Sequence, residues 1–176
     1  MLRAAVLLAK GTAIVFATMA FFMCFLGWYL FGWPAGFRRA EDPGFAADLF
    51  SGHLPVQQVL ASRKWHVKGG QPWDCTYAIV RLDDGLPEEP LSWRDEEKGW
   101  QFRFGGNWLA TPAAELSDNT RNALEYCGKY WPQSLAEELS ETIGQPGSWY
   151  VRDPSGETFF LYSQERRLAA RVRYGD

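Results

Sequence analysis

Acidic residues are missing from the first 40 positions, and residues 11 to 33 hold no charged residue, His, Asn or Gln at all. Twenty-three positions without a polar face exclude the ordinary amphipathic helix of a soluble core, which keeps one side for water. At about 1.5 Å per helical residue the run GTAIVFATMAFFMCFLGWYLFGW would be about 34 Å long, enough to cross a hydrocarbon layer of about 30 Å. A good cleavage site is missing too. Thr18-Met19-Ala20 comes nearest to a small-x-small pattern, but eleven of the next thirteen residues are Phe, Met, Cys, Leu, Trp or Tyr. A cleaved signal peptide has a basic start, an apolar run of about 7–15 residues and a small-residue cut site. Only the basic start, Arg3 and Lys10, is present, so the reading is an uncleaved signal anchor. Cys24 follows Phe-Phe-Met, without the small residues of a lipoprotein acceptor, and reads as a small apolar side chain of the span.

Nucleophile elbow, phosphate loop, HExxH, zinc ribbon and EF-hand are all absent, as are internal repeats and low-complexity tracts. No cofactor and no metal ligand set is therefore expected. A basic excess is absent as well: beyond Pro34 lie 16 of the 18 Lys and Arg against all 21 Asp and Glu. That mildly acidic balance disfavours nucleic acid as a partner.

What is present organises the chain around the span. Trp28, Tyr29 and Trp33 crowd its far end, as in an aromatic belt at headgroup level. Ala13 with Ala17, and Gly32 with Gly36, have the small-xxx-small spacing that lets membrane helices approach, which admits a homo-oligomer. Arg3, Lys10 and the amino terminus precede the span, and Arg38 and Arg39 follow it with Glu41 and Asp42 beside them, a slight bias that places the amino terminus inside. The expected organisation is a cytoplasmic N-terminus (1–10), a single transmembrane signal anchor in contact with the lipid bilayer (11–33), a linker (34–44) and an extracytoplasmic domain (45–176). The expected location is the inner membrane of a bacterial envelope.

Cysteine usage supports that direction. Cys75 and Cys127 are the only thiols of the domain, and two outward-facing cysteines in an oxidising compartment suggest one disulfide. The alternative is a pair of reduced, buried thiols in a domain facing the cytosol. Neither belongs to a CxxC or a Cys/His pair, so zinc and redox exchange are not indicated.

Periodicity gives the elements. Phe45 to Ser62 reads as two short helices around Pro55, and residues 64–68 as a strand leading into Gly69-Gly70. Cys75 to Leu82 is apolar on both faces, as in a central strand. Trp100, Phe102 and Phe104 alternate as on a half-buried strand, and residues 108–110 look like a short returning strand. Leu124, Cys127, Trp131, Leu135 and Leu139 recur at helical spacing through 118–143, where Pro132 predicts a kink or two helices. Turns at 153–156 and 163–167 divide the C-terminal part into a three-stranded meander. The predicted fold class is α+β: an antiparallel sheet with helices packed on one face, behind the N-terminal span.

Candidate chemistry is sparse. His66 and Asp74 flank the Gly69-Gly70 turn and form the one conceivable acid/base pair, the basis of an alternative reading as a membrane-anchored envelope hydrolase. His53 lies in a turn-like Ser-Gly-His-Leu-Pro. The acids of residues 83–97 lack calcium-ligand spacing and read as a solvated loop. Arg166, Arg167, Arg171 and Arg173 form a basic patch, with the last two on the solvent face of the final strand. Seven Trp in the domain exceed a usual complement; Trp65, Trp73, Trp93 and Trp108, near turns, are the candidates for surface binding, whereas Trp100 and Trp131 follow core periodicity. The leading expectation is a non-catalytic extracytoplasmic domain that binds a protein partner of the envelope.

Overall fold

The computed structural model describes residues 15–26, 42–63, 74–113, 116, 118–153 and 156–175. The chain divides into two compact units, Met1–Ala40 and Glu41–Asp176.

In the first unit, residues 15–26 are helical and every one of these twelve side chains is exposed, Phe16 and Phe21 to more than 70%. Among the described residues no helix is long and apolar enough to cross a membrane. The spanning helix expected over 11–33 is therefore not shown, because residues 11–14 and 27–33 lie outside the described part.

The second unit is an α+β domain built on one six-stranded antiparallel sheet. In chain order its elements are α1 (Pro43–Phe50), β1 (Val56–Arg63), β2 (Asp74–Leu82), β3 (Trp93–Arg94), β4 (Arg103–Phe104), β5 (Leu109–Ala110), α2 (Asp118–Gly128), α3 (Gln133–Gly144), β6 (Trp149–Arg152), β7 (Thr158–Ser163) and β8 (Leu168–Gly175). The strand order is β1-β2-β8-β7-β6-β5, and β3 pairs with β4 in a separate two-stranded ribbon. The meander β6–β7–β8 forms as expected, closed by β7–β8 pairs from Thr158/Arg173 to Ser163/Leu168.

The register sorts the core into two halves. Ala78, Val80, Phe160, Tyr162 and Ala169 share one face, which Phe45, Ala46, Leu49 and Phe50 of α1 cover together with Phe102 and Phe104. Tyr77, Ile79, Leu161, Ala170 and Val172 share the other, covered by Ala123 and Cys127 of α2 and by Leu135, Leu139 and Ile143 of α3. Helices thus pack on both faces, which corrects the expectation of helices on one face. All six residues of β7 are buried, so successive side chains on both sides of that strand need an apolar cover.

Residues 56–63 form a strand where a second short helix was expected. Register shifts at Val56/Gln58 and Val59/Ala61 interrupt the two-residue alternation, so the apolar positions lose their strand period. Ser62 of this strand holds α1 in place: its hydroxyl donates to Asp42 O at 2.5 Å and accepts the Ala46 N–H at 3.0 Å. Pro132 separates α2 from α3, which resolves the predicted interruption as two helices. The Trp100–Phe104 alternation is a 3-10 turn at Trp100–Phe102 followed by the two-residue β4. Phe102 and Phe104 are buried there, and Trp100 is left 49% exposed.

Candidate functional site

Cys75 is the second residue of β2 and Cys127 lies in the last turn of α2, and the two are joined in a disulfide with Cα atoms 5.5 Å apart. Both are buried. The expected disulfide is thus present, and it ties the second helical layer to the central part of the sheet. A second tie lies farther along: the Arg81 guanidinium donates to both carboxylate oxygens of Glu138 on α3, at 2.7 and 2.8 Å. This hydrogen bond, more than the accompanying charge attraction, holds the Glu138 carboxyl below its usual range.

The other expected site residues are distributed differently. Trp65, His66 and Trp73 lie outside the described residues, and Asp74 is described by its backbone, opposite Gly175. The expected His66/Asp74 pair therefore lies outside the described residues. Trp93 and Trp108 are not free platforms. The Trp93 indole donates to Leu49 O at 3.0 Å and packs against Phe50 and Phe104; the Trp108 indole donates to Ser92 Oγ at 2.9 Å and also meets Phe104. Both fasten the β3–β4 ribbon to the first sheet face. Gly105 makes this approach possible: at φ +86° a Cβ would stand 2.5 Å from Ser92 Oγ and 2.9 Å from the Trp108 ring. His53 is exposed and stacks on Trp93 at 4.5 Å.

The basic patch does not form. Arg166 pairs with Glu141, Arg167 with Asp84 and Arg173 with Glu157. Arg171 is 1% exposed rather than on a solvent face, because α1 and the 3-10 turn roof this side of β8. Its guanidinium lies 5.9 Å from the Phe45 ring and 5.6 Å from Trp100, and Arg173 stacks on Trp100 at 4.3 Å. Burial first, then the neighbouring Arg173 and Arg103, lower the proton affinity of Arg171. In the acidic loop, Asp95 Oδ1 accepts the N–H groups of Glu97 and Lys98, a local turn-forming role. Tyr162 donates to Pro87 O at 2.6 Å, and burial pushes its hydroxyl up to about 12.

Two concavities open on the α2 side of the sheet, on either side of Leu116. A groove of about 670 Å³ runs between α2 and α3, with Leu124, Gly128, Trp131 and Ala136 as its apolar part and Arg121, Glu125 and Lys129 among its polar residues. Tyr126 and Tyr130 of the same region are each 46% exposed. The second, of about 230 Å³, is lined by Asn107, Leu109, Leu116, Thr120, Tyr150, Arg152 and Phe159. Sequence reasoning did not single out these residues. They come from four separate segments with no motif in common, and only the sheet order brings β5, β6 and β7 together beside α2. No family model, curated protein or solved structure matches this chain.

Proposed function

We propose that this chain is a single-pass, signal-anchored protein of a bacterial envelope, whose domain faces the extracytoplasmic side and docks another envelope protein without catalysis. The observation that carries this reading is the Cys75–Cys127 disulfide, since such bonds persist in oxidising compartments and are rare in the cytosol. The uncharged run 11–33 and the exposed apolar side chains of helical residues 15–26 support an anchor in lipid. For docking, the α2–α3 groove combines the apolar Leu124, Trp131 and Ala136 with the polar Arg121, Glu125 and Lys129, and the half-exposed Tyr126 and Tyr130 lie on the same stretch of chain outside its lining, a mixture typical of protein interfaces. Reporter fusions at Asp176 test the orientation: a reporter active only outside the cytosol is expected to work, and activity from a cytosol-only reporter overturns the reading. A photo-crosslinking residue at Tyr130 tests the surface, with a discrete membrane-protein adduct as the expected product.

A further inference from the structure

We propose that the cavity between α2 and strands β5–β7 binds a small carboxylate with an apolar or aromatic body. This goes beyond the docking reading and is independent of which side of the membrane the domain occupies. The helical layer stops short of this end of the sheet: α2 packs on β8, β2 and β7, while Leu109 of β5 stays 54% exposed and Tyr150 of β6 is half-buried. The apolar part of the lining is Leu109, Leu116 and Phe159, with the Tyr150 ring stacked on Phe159 at 6.2 Å.

Charge selects the ligand. Among the described residues, Arg152 is the one ionisable group of full charge in the lining, and no carboxylate lines the cavity. Arg81, Arg103, Arg166 and Arg173 each have a carboxylate within salt-bridge distance, whereas Arg152 has none among the described residues. A guanidinium presents a planar fork of donors that matches a carboxylate, and Asn107 and Tyr150 add neutral hydrogen-bonding groups to the same lining. One cation with neutral donors suits a monoanion; a dianionic phosphate would leave charge uncompensated. The volume, about 230 Å³, suits a small molecule or a chain terminus rather than a folded element.

Calorimetric titration of the full chain in detergent micelles tests this, with phenylacetate as the free acid and a short peptide ending in phenylalanine as the chain terminus. Methyl phenylacetate and the amidated peptide serve as neutral controls. Saturable single-site binding is expected for at least one acid, with its neutral control weaker by about tenfold or more. Preference for phenylacetate assigns a free acid; preference for the peptide assigns a C-terminal carboxylate. Arg152→Gln is expected to lower acid binding by about tenfold or more, with Arg152→Lys intermediate and the unfolding midpoint unchanged in both. No saturable binding of either acid overturns the proposal. So does equal binding of acid and neutral control by the unaltered protein, or undiminished acid binding by Arg152→Gln.

Discussion

Two arginines of the meander sit in opposite surroundings. Arg152 is exposed beside a cavity and, among the described residues, unpaired; Arg171 is buried among aromatic rings, its Nε and Nη1 without hydrogen-bond partners among the described residues. A buried cation loses its hydration, and ring contacts return only part of that. Arg171→Met is therefore expected to leave stability within about 1 kcal/mol or to raise it, as the midpoint in urea unfolding reads out. A loss above about 3 kcal/mol would show that the guanidinium itself is required. Glu138 is the contrasting case. Its carboxyl is lowered by the hydrogen bond from Arg81, so the folded state releases that proton more readily than the unfolded chain. The contribution is fully present above the unfolded value, about 4.3, and fades as pH falls through the lower folded value. Glu138→Gln is expected to be less stable than the unaltered chain at neutral pH and to show a shallower decline with acid, a comparison that unfolding midpoints across pH would check. Neither environment was legible from a single strand. Arg171 and Arg173 alternate with apolar neighbours as solvent-facing residues do, and it is α1, more than 100 residues earlier, that covers Arg171.

Elements with an uninterrupted period were readable; those shaped by irregular pairing were not. The β6–β8 meander and the α2/α3 pair follow from alternation, helical spacing, turn residues and Pro132. Strand β1 was hidden by two register shifts, and the 3-10 turn at Trp100–Phe102 turned an apparent strand alternation into one exposed and two buried rings. Cover on both sheet faces was implicit in the apolar run of β2 but was assigned to one side only. The junction of α1 with β1 yields a direct test. Ser62→Ala removes one hydroxyl that serves both Asp42 O and the Ala46 N–H, and is expected to cost about 1–2 kcal/mol in chemical unfolding. In the other layer Leu139, 1% exposed on α3, has no polar role; Leu139→Ala is expected to cost about 2–5 kcal/mol by the same measurement.

Across the whole molecule, the candidate sites divide in the same way. The cysteine pair was visible because it is the only such pair in the domain. The cavity at Arg152 was not, since its walls meet only after the sheet has assembled. The disulfide closes a separation of 52 residues and on the chain-entropy model contributes about 4 kcal/mol. Compartment and fold are therefore coupled: the domain is expected to be far less stable where its thiols stay reduced. Cys24, the one free cysteine, supplies an internal reference. In cells quenched with acid and then denatured, a maleimide mass tag should add once to the unreduced chain, at Cys24, and three times after reduction. Three tags without reductant would mean that Cys75 and Cys127 are thiols in the cell, and would contradict an oxidised, outward-facing domain.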